Sequence, residues 1–523
     1  NATLNVTSAT GTEIRFTLTD TLDDSLFYFP LTVKIRVDSA WEAVAAVQNG
    51  SSVPVELVEH GGNSYALVQA VPDGGEVSLQ KVVSEGLLVV VRGASHDRVW
   101  VDGGFSGTSV GSYAAPYKTV QAGLDAAVPG DTVSVREGVY RESIVLPSGT
   151  AAQPIALSAA SGERVVLNAM VPLEDWQPMV GGFYSKLAAW EPAALYSGFR
   201  KMVLAREPNE GWWEAVSVGE DVPAGTLTIT DAGNLAGLPY DLAGASVYLW
   251  TQGSDQFYTC PIVSFDPILG TVEFEKTSPT MVAAAGDKYW LQNQVSLVNQ
   301  PDEWAADPEG ADFRIYFAPE DTADLAGTQI PPASGWVVSG QNAAHVRLNN
   351  LEVAGGNGQG IYLLDAQDIE INRCIVHDNV LYGIWMDGAQ DCSVQNSILI
   401  NNRFGLACVG SSGIWVEGNE IGDNNEDGLL FAWGSSSMTA RRNYIHNHML
   451  WGHPDNSQTY RGVTGVQYIE NLIISGGQSV MLEETADAEF SGNMVIGSAA
   501  NMFSFGHGTV TNVVMHGNTL ACS

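Results

Sequence analysis

The chain has 523 residues, with 59 acidic and 23 basic side chains and a formal charge of −36 at pH 7. That balance argues against nucleic acid as a partner, because phosphate binding needs a basic face. Only 16% of residues are charged, 45% are apolar and 56 are glycine, which excludes an acidic disordered chain and suits an all-β protein of two or three domains with many tight turns. In chain order, residues 1–93 read as a β-sandwich of immunoglobulin-like type. ATLNVTS, EIRFTLT, LTVKIRV, PVELVE, YALVQAV and EVSLQKV alternate or run β-branched, with HGGNS and PDGGE as turns between them. Sequons at Asn1, Asn5 and Asn49 lie in this module and give weak support for a secreted or cell-surface location.

Residues 94–170 are expected to hold an N-terminal cap and the first coils of a solenoid. Here Pro116–Gln121 (PYKTVQ) leads into a short amphipathic helix, Val120–Ala127, and Pro129–Glu142 follows as PGDTVSVREGVYRE. The helix would cover the open apolar end of the solenoid, and the Pro-Gly-Asp turn would begin the first coil. This stretch resembles the start of secreted right-handed β-helix proteins of the pectin-lyase-like superfamily, a resemblance that implies the fold and says little about chemistry.

Residues 171–335 interrupt the coils and read as a β-rich insertion. Arg206–Asn209 (AREPN context), Glu303, Trp304 and Asp307, then Ile315–Pro319, stand in an order similar to that of β-helix glycoside hydrolases with a β insertion domain. The pair Trp212-Trp213, if extended, places its rings on opposite faces, leaving one free to meet sugar.

Residues 336–523 form the main ladder. Asn349, Asn372, Asn396, Asn419, Asn443, Asn471, Asn493 and Asn518 recur at spacings of 23, 24, 23, 24, 28, 22 and 25. A period in the low twenties with short β-branched runs predicts a parallel β-helix, with the asparagines bonding one another at the turns. A second register runs GIYLL, GIWMD, GLACV and GLLFA from Gly360, Gly383, Gly405 and Gly428. Its first and third residues after glycine are apolar and point inward. Its second and fourth point outward, which puts Tyr362 and Trp385 one rung apart on an outer face beside Asp387. Cys374 and Cys408 fall at buried positions, and with no CxxC pair among five cysteines a zinc or redox site is not expected.

In this phase Gly452 should open the next rung, yet the sequence there is GHPDNSQTYRG. His453 and Asp455 then occupy positions that are inward elsewhere, and such a break in a regular ladder is where function is sought. With Glu483 one rung on and Asp427 leading into the rung before, the candidate catalytic residues are Asp455, Glu483, Asp427 and His453. Carboxylates one rung apart suit a retaining glycosidase, at roughly 5–5.5 Å, and two rungs suit an inverting one, at roughly 6.5–9.5 Å. Trp385, Tyr362, Asp387, Gln458, Trp433 and Glu484 are the candidate glycan-binding residues. His446, His448 and His453 could orient a carboxylate or act as base in a lyase or epimerase. No cofactor is implied. Calcium remains open at a His/Asp cluster, although no calcium-loop consensus is present.

The favoured reading is a glycoside hydrolase acting on an extracellular polysaccharide. A lyase or epimerase is a variant of it, disfavoured by the few basic residues in the ladder. The other reading is a non-enzymatic adhesin, tailspike-like fibre or filament subunit. The chain stops at HGNTLACS in mid-repeat, and an uncapped solenoid end would favour self-assembly end to end. No run of 18 apolar residues is present, so no membrane span is expected.

Overall fold

The computed structural model describes residues 2–20, 31–41, 44–49, 51–60, 63–81, 98–251, 256–448 and 454–521. The chain divides into two compact units, Asn1–Ser95 and His96–Ser523. In the first unit, one antiparallel sheet runs in the order Thr3–Ala9, Glu13–Thr19, Glu76–Lys81, Val44–Gln48 and Ser51–Val53. A second sheet joins Leu31–Arg36, Asn63–Ala70 and Val55–His60. Period-two alternation sends Phe16, Val33, Ala66, Val68, Val77 and Leu79 to a shared core, as a pleated strand requires.

The second unit is a solenoid of three parallel sheets with 11, 10 and 9 strands. Each coil contributes one strand to each sheet, and every strand pairs with its counterpart in the next coil. Ile361, Ile384, Leu406 and Leu429 succeed one another in one inward column, all fully buried. Cys374, Cys392 and Cys408 join the same core as small apolar groups. No coil could bury these residues alone. At about 1.5–3 kcal/mol per buried aliphatic side chain, stacking is what holds the coils.

The N-terminal end is closed by the helix Val120–Ala126, one residue shorter than expected. Its Gly123 permits close approach, since a Cβ there would meet Val101 at 2.5 Å and Val133 at 3.0 Å. Glu142, the last residue of the PGDTV…E stretch, accepts from the N–H groups of Val120 and Gln121 at 2.7 and 3.1 Å. A carboxylate at the positive helix end is thereby fixed from the first coil.

The asparagine series divides into two ladders where one was expected. Asn419, Asn443, Asn471, Asn493 and Asn518 are linked in sequence, each donating its side-chain N–H to the next Oδ1 at 2.9 or 3.0 Å. The same oxygen also takes the previous backbone N–H. Upstream, this buried position belongs to Ser397 and Cys374, and Asn396 and Asn372 form a separate, more exposed pair. A ladder the sequence reading missed runs through Asn379, Asn402 and Asn424 to His448, all buried at another corner.

The insertion leaves the solenoid after Asn168 and rejoins it at Val338. Its largest sheet has 8 strands, including Ser246–Thr251, Gln256–Asp266 and Lys288–Gln292. Leu227, Ile229, Val247, Leu249, Phe274 and Tyr289 supply its core.

Candidate functional site

The outer face of the nine-stranded sheet carries three columns of side chains. The middle column is Tyr362, Trp385, Ala407, Leu430, Gln458 and Met481, one residue per rung. The far column holds Asp387, Val409, Ala432 and Tyr460, and Glu483 follows one rung after Tyr460. Asp387 thus lies four rungs from Glu483, in the same column. Tyr362 and Trp385 are cross-rung neighbours, as expected, although Tyr362 stacks its ring on Trp336 at 5.4 Å and Trp385 meets Tyr382 edge-on at 4.2 Å.

The near column was not foreseen. Glycines at 360, 383 and 405 face the interior, where a Cβ on Gly360 would strike Val376 and one on Gly405 would strike Ile421, each at 2.8 Å. Two successive inward residues turn the preceding one outward. Gln359, Tyr382 and Phe404 are those residues, paired rung to rung and half-buried. Tyr382 and Phe404 stack at 4.8 Å. By the same register the next members of this column are Asp427 and Asp455, and then Gln478.

This register corrects the phase of the irregular rung. Leu429 pairs with Ser457, an offset of 28 residues (457 − 429), so Gly428 corresponds to Asn456 and not to Gly452. The polar residues that fill inward positions are therefore Ser457 and Thr459, in place of His453 and Asp455. Both are fully buried and satisfied, Ser457 by the Tyr468 hydroxyl at 2.8 Å and Thr459 by Thr485 at 2.6 Å. Gly452 and His453 lie outside the described residues. The expected adjacency of Asp455 and Glu483 also fails. Asp455 pairs with Gln478, and Glu483 stands at the other end of that strand, five residues on, or about 16 Å at the rise of a strand.

What the fold does bring together is Asp427 and Asp455, on successive rungs of one outward column. Both are buried, and the Asp455 N–H donates to Asp427 Oδ1 at 3.0 Å. Beside them, Gln458 and Gln478 both approach the Met481 sulfur at 3.8 Å. Behind them, His448 is fully buried between Asn424 and Asn456, at 3.2 and 2.8 Å. Nδ1 faces an amide oxygen and Nε2 an amide nitrogen, so the ring is neutral with its proton on Nδ1. Burial pulls it down to about 4, against the Asn456 bond. His448 is thus locked into an inner ladder with both ring nitrogens engaged. His446 pairs with Glu420 at 3.3 Å. Trp433 is exposed at a turn, edge-on to Tyr460 at 5.5 Å, and the Glu484 carbonyl accepts from the Gly462 N–H of the preceding rung at 2.9 Å. Among the described residues, no group of three His, Cys, Asp or Glu side chains is disposed to hold a metal ion.

The insertion lines the corner beside the near column at the rung of His377 and Asp378. Tyr196 donates its hydroxyl to the Asp378 carbonyl at 3.4 Å, and Phe199 packs edge-on against His377 at 5.0 Å. His377 bridges Asp378 at 2.7 Å and Glu352 at 3.1 Å, and Glu352 also binds Arg164 with both oxygens at 2.7 Å. Burial opposes the charge on His377, but the bonds to Asp378 and Glu352 outweigh it and hold the ring up at about 9. Burial likewise opposes the Glu352 charge, and His377 and Arg164 bring that carboxyl down to about 2. Further along, Arg403 pairs with Glu426, and burial pushes the Tyr248 hydroxyl of the insertion up, with Arg403 opposing and Glu426 adding. Burial raises Tyr382 to about 12, with Arg403 opposing and Glu426 and Asp427 adding.

Tyr248 belongs to an aromatic cluster on the insertion. It stacks on Trp290 at 4.4 Å, and Trp212 meets Trp290 at 4.1 Å. Trp213 packs on the other face of the same strand, against Tyr289 at 5.7 Å, so the adjacent tryptophans do face opposite ways. Arg206 covers Trp290 at 4.1 Å while donating to the carbonyls of Pro208 and Gly211. Glu303 accepts from the N–H groups of Asn299 and Gln300, and Trp304 is core. The short sequence matches in the insertion thus hold loops in place.

The family model described as the right handed beta helix region matches residues 336–520. The fold is a right-handed parallel β-helix. A solved structure named glycoside hydrolase superposes with a TM-score of 0.64 at 14% identity, covering 81% of this chain and 96% of that one. The complex structure of XylC with xylose gives 0.50 at 14% identity, covering 81% and 68%. A gellan lyase from Bacillus sp is 46% identical over 85 residues, 16% of this β-helix chain and 3% of that protein.

Proposed function

We propose that this β-helix hydrolyses a glycosidic bond in an extracellular polysaccharide, with Asp427 and Asp455 as its carboxylate pair. The observation that carries this reading is their place on successive rungs of one outward column. Rungs about 4.8 Å apart bring two carboxyl groups near the roughly 5–5.5 Å of a retaining pair. Asp427 accepts a backbone N–H, which suits an anion, so it is assigned the attack on the anomeric carbon. Asp455 then protonates the departing oxygen and later deprotonates the water that releases the sugar from Asp427. The half-buried aromatics on the preceding rungs, Tyr382 and Phe404 with Trp385 beside them, give sugar rings a face to lie on.

Asp427→Asn and Asp455→Asn should each lower release of reducing sugar from a glycan panel by about 10²–10⁴-fold. Glu483→Gln, at the far end of its strand, should stay within a few-fold of wild type. Full activity in both aspartate variants would refute the assignment. The partial similarity to a gellan lyase supports a second reading, elimination at a uronate. Products that absorb in the ultraviolet through a new C=C bond would favour it, and saturated reducing ends would favour hydrolysis.

A further inference from the structure

Directly after the far column the chain turns a corner in a left-handed conformation. On successive rungs the turning residue is Asp365, Gly388, Gly410, Trp433, Arg461 and Glu484, with φ between 43° and 63°. Glycine adopts this backbone freely and aspartate tolerates it, but a bulky side chain is strained by it. Among the described residues, Trp433 is the one tryptophan, tyrosine or phenylalanine with a positive φ. An outlier of this kind persists only where its neighbours impose it, and it is a reason to look for function.

The neighbours do impose it. The Trp433 N–H donates to the Tyr460 carbonyl at 2.8 Å, the two rings meet edge-on at 5.5 Å, and the Arg461 guanidinium lies over the Tyr460 ring at 4.9 Å. The next residue, Gly434, donates its N–H to the Arg461 carbonyl at 3.0 Å. Trp433 nevertheless remains 48% exposed. A ring fixed from behind and open in front loses little freedom when a sugar lies on it. Its place relative to the aspartates matters as much. Leu429–Ala432, the strand that Asp427 leads into, ends at Trp433, and Asp455–Tyr460 begins at one aspartate and ends at the supporting tyrosine. The two rungs that carry the aspartate pair at one edge of the sheet thus carry Trp433 and Tyr460 at the other, about 16 Å across at the rise of a strand. Half-buried Leu430 and Gln458 form the floor between them.

We infer that Trp433, backed by Tyr460 and Arg461, is a distal sugar platform of the same site, and that the substrate is a long glycan chain laid along these two strands. The inference rests on the aspartate pair being the point of cleavage, and it adds the path of the chain and the class of substrate, a polymer rather than a disaccharide. A pyranose presents its C–H face to the indole and its hydroxyls to the exposed Arg461 guanidinium. Neutral and acidic rings share that C–H face, so the platform reads ring and chain length rather than charge.

The test is binding rather than turnover. Full-length Asp455→Asn, a background in which cleavage does not blur the measurement, is run on native gels containing in turn xylan, mixed-linkage glucan, gellan and pectin. At least one polymer should retard it, and Trp433→Ala in that background should weaken the retention about tenfold. Trp433→Phe should stay near the parent, and so should Trp415→Ala, which removes an exposed tryptophan of the eleven-stranded sheet. Trp433→Gly, the residue that the two preceding corners use, should melt close to the parent and still lose retention. By calorimetry, long oligosaccharides of the retained polymer should bind more tightly than the disaccharide, and Trp433→Ala should remove that gain. Retention by none of the polymers, a gain with length that survives Trp433→Ala, or a melt lowered in step with the loss would overturn the platform. An Asp455→Asn that still cleaves would instead overturn the proposed function, so the two failures are told apart.

Discussion

At the residue scale, two histidines within the β-helix titrate in opposite senses. His448 is held neutral in the fold, down at about 4 from an unfolded value near 6.5. The unfolded chain therefore binds the extra proton between those values, and stability falls as pH drops from 6.5 to 4, by about 3 kcal/mol at full extent. His377 is held charged, at about 9. Its contribution is complete below 6.5 and is lost as pH rises through 9. The Glu352 contribution is present above its usual carboxylate range and is lost as pH falls through about 2. Urea unfolding from pH 4 to 9.5 should show stability declining at both ends. His448→Asn should flatten the acid slope, and His377→Gln the alkaline one. A wild-type midpoint independent of pH across that range would contradict both assignments. None of this could be read from the sequence, where both residues look like ordinary ladder histidines. Their opposite behaviour comes from Asn456 in one case and Asp378 with Glu352 in the other.

At the element scale, the asparagine ladder is an energetic unit. Asn443 serves the N–H groups of Asn419 and its own donors reach Asn471 and the Val416 carbonyl. Asn443→Ala leaves several buried groups unmet, at about 1–3 kcal/mol each, and should lower stability by about 3 kcal/mol or more. Asn396→Ala, at an exposed position, should cost less than about 1 kcal/mol. Chemical denaturation of the two variants checks this, and equal losses would contradict the division into two ladders. The sequence period revealed that asparagines recur, but it could not tell Asn396 from Asn419. A one-residue shift leaves the spacing almost unchanged and moves the side chain from surface to interior.

At the scale of the whole molecule, the chain carries a formal charge of −36. Cleavage of a neutral substrate should then change less than about twofold between 0.1 and 0.5 M salt. Binding of an anionic glycan should strengthen as screening shortens from about 10 Å at 0.1 M towards about 3 Å at 1 M. A salt series of kcat/KM alongside calorimetric titrations measures both, and strong salt inhibition of the neutral reaction would contradict the reading. The parallel solenoid, its N-terminal helix, its inward columns and the location of one irregular rung all follow from the sequence by itself. Period and alternation are local, and a coil can bury its apolar face in only one way, against the next coil. Tertiary structure alone decided which carboxylates meet. Insertion of extra residues before Asp455 moved the register, placed Asp427 and Asp455 in one column and carried Glu483 away. The inward glycines turned Tyr382 and Phe404 outward, and the insertion was laid along that same corner. Pairing offsets and packing across 200 residues of chain leave no periodic trace, so spacing could find the broken rung but not its partners.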